Sequence, residues 1–170
     1  MELLFESKHF YFRNMNRGDV ASLRRVVHQR DGSPCDEDYA SLWIRWCMGS
    51  YVTHGFAQYA VVDKESGELV GSAGISMQKI DGEELPEIGY HLRSDYQGQG
   101  LGKEAVLVIR DYFFTCFDYD EVFSYMDEDN VASYKTAESM GMSLRKTYVD
   151  EEGKTLRVYS ITRSEWQNLL

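Results

Sequence analysis

Gln97-Gly98-Gln99-Gly100-Leu101-Gly102-Lys103 is the stretch whose reading decides the fold. It follows an apolar run that reads as a strand, Glu87-Ile88-Gly89-Tyr90-His91-Leu92, and opens a helix-like apolar run over 105–117. Glycines at 98, 100 and 102 leave a backbone with no Cβ to obstruct a ligand. In the first turn of a helix the N–H groups lack an intrahelical acceptor and point outward at the positive end of the dipole. Such a segment is an anion site, and a pyrophosphate suits it.

Two familiar phosphate patterns fit it poorly. A P-loop aligned on Gly102-Lys103 puts Gln97 at its first glycine and Glu104 at its Ser/Thr. Gly100-Leu101-Gly102-Lys103-Glu104-Ala105 does satisfy G-x-G-x-x-A, but a dinucleotide fold needs its strand to turn directly into the first glycine. Here Arg93-Ser94-Asp95-Tyr96-Gln97 intervenes, and antiparallel-looking strands come first.

Taken in order, a strand is expected over 9–13, then a helix capped by Asn16 with Asp19 in its first turn. Ser33 and Pro34 punctuate the start of a second helix whose face carries Tyr39, Leu42, Trp43, Trp46 and Cys47. Strands over 57–62 and 68–77 flank a hairpin loop, and Gly71 and Gly74 imply a bulge or a tight contact. After the strand at 85–92, Leu101, Ala105, Val108, Tyr112 and Cys116 repeat at helical spacing. A strand over 121–126, reached through that helix, is a crossover beside the preceding one. A helix follows from the Asn130 cap to Gly141, then a hairpin over 143–149 and 155–161. Thr162-Arg163-Ser164-Glu165 is a capping box for a short last helix. The order is β-α-α-β-β-β-α-β-α-β-β, an α/β (α+β) chain with a mixed, mostly antiparallel sheet and helices on both faces.

At 170 residues, with 43% hydrophobic and 14% aromatic content, one packed domain over 1–170 is expected. A formal charge of −10 argues against nucleic acid as a partner and is compatible with a cationic one such as an amine. Cys35, Cys47 and Cys116 lie far apart and read as reduced thiols, with no metal-ligand spacing. The opening residues have no signal-peptide character and no apolar run reaches membrane-spanning length, so a cytoplasmic protein without a membrane partner is expected.

The loop also reads as Gln-x-x-Gly-x-Gly at Gln97, Gly100 and Gly102. Around it stand, in order, Gly67-Glu68-Leu69-Val70-Gly71-Ser72-Ala73-Gly74, Glu87-Ile88-Gly89-Tyr90, Asn130-Val131-Ala132-Ser133 and Met140-Gly141-Met142. Together these resemble the GCN5-related N-acetyltransferase (GNAT) superfamily over nearly the whole chain. The resemblance is closest to the branch of the ribosomal-protein N-terminal acetyltransferases (RimJ/RimL-like).

That resemblance implies acetyl-CoA as cofactor, with its pyrophosphate on the N–H groups of Gly98, Gln99, Gly100, Leu101, Gly102 and Lys103 behind Gln97. It implies the amide around Leu92 beside the thioester oxygen and Asn130 beside the pantetheine arm. It also implies a splay between the fourth and fifth strands, opening a cleft between 87–92 and 122–126. An attacking amine must be neutral, so a base is needed, and Glu87 is the residue that fits. The departing thiolate needs a proton; the tyrosine common in the superfamily is replaced by Ala137, and Ser133 is the branch's candidate, with Tyr134 and Tyr90 as further candidates. His91 and His54 read as structural, and no partner activates a cysteine. The implied activity is direct acetyl transfer to a primary amine of a protein N-terminus or small molecule, by a monomer or homodimer. A non-catalytic acyl-CoA-binding or sensing protein is the alternative.

Overall fold

The computed structural model describes residues 2–29 and 32–170; Met1, Arg30 and Asp31 lie outside the description. The strands are β1 (Phe5–Glu6), β2 (Phe10–Asn14), β3 (Gln58–Asp63), β4 (Leu69–Ile80), β5 (Glu83–Leu92), β6 (Glu121–Asp127), β7 (Ser143–Val149) and β8 (Thr155–Thr162). The helices are α1 (Val20–Leu23), α2 (Glu37–His54), α3 (Leu101–Cys116), α4 (Val131–Ser139) and α5 (Arg163–Gln167). The strands form one open, largely antiparallel sheet in the order β1-β2-β3-β4-β5-β6-β8-β7. Contacts divide the chain into two compact units: one runs to Ser76 and includes Gly89–Ile109, the other joins Met77–Ile88 to Arg110–Leu170.

In the first unit β2, β3 and β4 make an antiparallel meander. Val61 opposes Gly71 while Val62 opposes Leu69, so Val70 is an extra residue and the strand bulges there. A Cβ on Gly74 would fall 2.1 Å from the Ala57 carbonyl oxygen, so only glycine lets these backbones meet. Both expectations for Gly71 and Gly74, a bulge and a tight contact, hold in this one hairpin.

Side chains alternate along β5. Tyr90 lies against Gly102 of α3, where a Cβ would come within 2.7 Å of the ring. His91 meets Trp43 of α2 edge to face, with ring centroids 5.7 Å apart. The helices α3 and α2 therefore cover opposite faces of this strand.

Three expectations need correction. Asp36, not Ser33, caps α2: its Oδ1 accepts from the Tyr39 N–H at 2.7 Å, while Pro34 is held in a β-bridge with His28. A carboxylate facing N–H groups at the positive end of a helix outcompetes a hydroxyl three residues upstream. Asn16 caps a 3-10 turn, Arg17–Asp19, and α1 is a single turn, because Asp19 is drawn back into a two-toothed pair with Arg13. The buried stripe of α3 runs through Ala105, Val106, Ile109, Phe113 and Phe114, leaving Cys116 exposed. The two-residue β1 is too short to show in the sequence pattern.

In the second unit, β6 pairs with β8 over seven positions from Glu121↔Thr162 to Asp127↔Leu156. Its parallel register with β5 comprises the single pair Glu87↔Phe123. Arg163 closes the C-terminal end of α3: its guanidinium donates to the last-turn carbonyl of Phe114 and to those of Phe117 and Tyr119 just beyond the helix. Asn130 caps α4, Gly141 follows it with φ +85°, and the Thr162–Glu165 capping box opens α5. Lys146 on β7 reaches Asp81, in the turn between β4 and β5, at 2.8 Å.

Candidate active site

Of the three glycines in the loop, two do one job and the third another. Gly98 and Gly100 hold φ of +73° and +76°, a conformation open to glycine at no steric cost, and no protein atom lies within 4 Å of where their Cβ atoms would be. Gly102 has an ordinary backbone; its missing Cβ makes room for the Tyr90 ring instead. The first α3 N–H to find a helical acceptor is that of Glu104, on the Gly100 carbonyl at 3.1 Å. The N–H groups of Leu101, Gly102 and Lys103 precede it and belong to the unpaired first turn.

Side chains fix this loop from behind. Gln97 Nε2 donates to the Leu92 carbonyl at 2.9 Å, tying the loop to the end of β5. Gln99 Nε2 donates to the Asp95 carbonyl at 2.9 Å, spanning the 3-10 turn Ser94–Tyr96. Glu104 turns away: it accepts from Ser7 Oγ and the His9 N–H and pairs with His9 Nδ1 at 2.8 Å. Burial pushes its pKa up, but these hydrogen bonds outweigh that, and the result lies below the usual value. The acid is thus anchored to the β1–β2 turn.

Glu87 sits in β5 opposite Phe123, half-buried. Its carboxyl has no hydrogen-bond or ion-pair partner among the described residues. Loss of hydration alone raises its pKa well above the usual carboxylate range. A carboxyl raised this way, with no cation to hold it ionised, keeps its proton to higher pH than an exposed one.

On α4, the Asn130 side-chain oxygen accepts from the Ser133 N–H at 3.2 Å, which leaves the Asn130 amide nitrogen for another contact. Ser133 is half-buried in the first turn of α4, and no described group engages its hydroxyl. Tyr134 is packed between neighbours: its ring stacks on Tyr159 at 6.3 Å and 8°, and the Arg157 guanidinium lies 4.5 Å from it. Ala137 is fully buried, so the position where the superfamily often carries a tyrosine belongs to the core here.

Lost hydration, then the charge of nearby His28, lowers the pKa of His91, which keeps its imidazole neutral to lower pH. Burial lifts the Cys47 thiol to about 12, which leaves it unreactive. No cluster of three or more metal-ligating side chains occurs among the described residues, and no described helix is long and apolar enough to cross a membrane. Sequence reasoning did not single out Phe123 and Tyr125 of β6. The pairing Glu87↔Phe123 brings them into consideration, and no spacing rule gives that register.

An open sheet, a glycine loop running into a helix and a parallel crossover are the marks of an acetyltransferase of the GNAT class. The family model for the acetyltransferase (GNAT) domain matches residues 9–143. The uncharacterized protein YkkB of Bacillus subtilis (strain 168) is 31% identical over 117 residues, 69% of this chain and 67% of its own length. A Bordetella pertussis protein described as a GnaT-family acetyltransferase superposes with a TM-score of 0.82 at 18% identity, over 94% of this chain and 99% of that one. RimL, a ribosomal alpha-N-protein acetyltransferase solved in complex with Coenzyme A, gives 0.75 at 15% identity, over 95% and 98%. The chain belongs to the GNAT acetyltransferase family.

Proposed function

We propose that residues 1–170 form one acetyltransferase domain that moves an acetyl group from acetyl-CoA directly to a primary amine, on a protein N-terminus or a small molecule. The observation that carries this is the loop: unpaired first-turn N–H groups at Leu101, Gly102 and Lys103, beside two left-handed glycines with open space over them. A bulky dianion fits there because the donors are backbone groups and no side chain fills the space. In an acidic chain, such concentrated donors are what a polyanionic cofactor requires.

Acetyl-CoA supplies the activated acetyl group as a thioester. Gly98 to Lys103 would hold its pyrophosphate, with Gln97 keeping the loop on β5. By the family resemblance, the Leu92 amide would serve the thioester oxygen and the Asn130 amide nitrogen the pantetheine arm. Glu87 takes a proton from the incoming ammonium, leaving a neutral amine able to attack. The second proton lost from that nitrogen would go to the CoA sulfur, with the Ser133 hydroxyl as the candidate donor. The balance is ammonium plus acetyl-CoA to amide, CoA thiol and one proton. The sequence features shared with the RimJ/RimL-like branch favour a protein α-amino group among the acceptors.

One observation favours a non-catalytic acyl-CoA-binding protein: the buried Ala137 where a tyrosine commonly serves. The unpartnered Glu87 carboxyl weighs the other way. An acceptor screen over amines and peptides, read by thiol release and by the mass of the product, separates the two. Acetylated product supports the enzyme; CoA binding without thiol release on every acceptor supports the binding protein.

A further inference from the structure

The two sides of α2 are used differently. Ala40, Ile44 and Cys47 repeat at i, i+4 and i+7 and are buried in the core of the first unit. Two residues after each, about 200° further round the helix, stand Leu42, Trp46 and Gly49. Leu42 is 58% exposed and Trp46 45%, and no neighbouring atom lies within 4 Å of the place a Gly49 Cβ would take. Asp38 and Arg45 stand beside Leu42 on this outer side. Both are exposed, and neither side chain has an ion-pair or hydrogen-bond partner among the described residues.

This outer side has the make-up of a contact surface. The helix contains no lysine, and Met48 and Val52 extend its exposed apolar area. Surfaces that meet other proteins favour Trp, Met and Arg over lysine, and a tryptophan or arginine commonly anchors them. The stripe is also complementary to itself. At 100° per residue, Asp38 and Arg45 fall on one flank of Leu42, and Tyr39 and Trp46 on the other. Two copies of α2 laid antiparallel about a two-fold axis at Leu42 keep each flank against the same flank of the other copy. Leu42 then meets Leu42, each Arg45 meets an Asp38, and each Trp46 meets the half-buried ring of a Tyr39. A parallel pair would instead bring like charges to the same height.

We infer that the outer side of α2 joins two copies of this chain as an antiparallel helix pair centred on Leu42. The opposite charges and the aromatic pairs recur twice by symmetry, which is what makes a second copy the occupant. The contact runs over residues 38–46, about 12 Å of helix, and is smaller than the roughly 800 Å² per partner of a standard interface. The dimer is therefore weak and forms with rising concentration. It is independent of the acetyl-transfer reading, because none of its residues belongs to the loop or to the face around Glu87.

Sedimentation velocity of the full chain, from micromolar to millimolar concentration, tests this. The wild type is expected to pass from monomer to dimer across that range. Arg45→Glu turns two attractions into two repulsions and should weaken the dimer by roughly 10-fold or more, as should Asp38→Arg. Carrying both substitutions together restores opposite charges and should return the dimer to within about 3-fold of wild type. Trp46→Ala should weaken it by about 10-fold. Rescue by the exchanged pair is an outcome that mere damage to α2 does not produce. A wild type that stays monomeric throughout, a dimer indifferent to Arg45→Glu, or a double variant as weak as the single ones overturns the inference.

Discussion

The loop after β5 and the face around Glu87 are built on different principles. The loop works through its backbone: two glycines at positive φ and three N–H groups at a helix start, with side chains serving only as ties from behind. The face around Glu87 works through side chains, which two strands bring together by a single register pair. Backbone sites tolerate change at their side chains and fail when a glycine is replaced. Side-chain sites fail when one functional group goes and tolerate change in the backbone's surroundings.

Glu87→Gln is the sharpest way to break this contrast. On the proposed mechanism it lowers kcat by about 10²–10⁴-fold, the usual worth of a general base, while CoA affinity stays within 2-fold. The wild-type pH–rate profile should rise through an apparent pKa above the ordinary carboxylate range, because burial raises Glu87, and the variant should lose that limb. Stability should move the other way. Folding raises the proton affinity of Glu87, so its contribution to stability is present at low pH and is lost as pH rises through the folded pKa. The variant removes that loss, and its melting temperature relative to wild type should climb from acid to alkaline pH. Calorimetry across that range checks it.

Gly100→Val comes next. Forcing a branched residue to φ +76° costs about 1–2 kcal/mol and puts a side chain where the cofactor would lie. CoA affinity should fall by roughly 10-fold or more, with amine binding unchanged in calorimetry. Ser133→Ala should lower kcat by about 10-fold or less, since a serine hydroxyl or its water is replaceable by solvent; stopped-flow thiol release measures it. Smallest of all, Gln97→Ala removes one hydrogen bond to the Leu92 carbonyl, worth about 1 kcal/mol, and should weaken CoA by about 5-fold. A larger effect at Gln97 than at Gly100 would mean that side chains rather than backbone hold the cofactor.

The same division explains what the sequence showed. Strand and helix order, the Asn130 cap, the Thr162 capping box and the loop were legible because each is written in local spacing or in residues with strong backbone preferences. The start of α2 was misread because Ser33-Pro34 and Asp36 both look like helix starts, and only the His28–Pro34 bridge decides between them. Glycine at 102 was legible as glycine but not in its purpose, which is to admit Tyr90. Phe123 and Tyr125 beside Glu87 were not legible, because register between distant strands is a tertiary property.

Competitive binding of CoA and NAD to the wild-type chain and to Gly100→Val tests the central claim most directly. The account predicts that CoA binds the wild type, that NAD does not displace it, and that the single glycine substitution weakens CoA by roughly 10-fold or more. Tight NAD binding without CoA binding, or CoA affinity indifferent to Gly100, would contradict it.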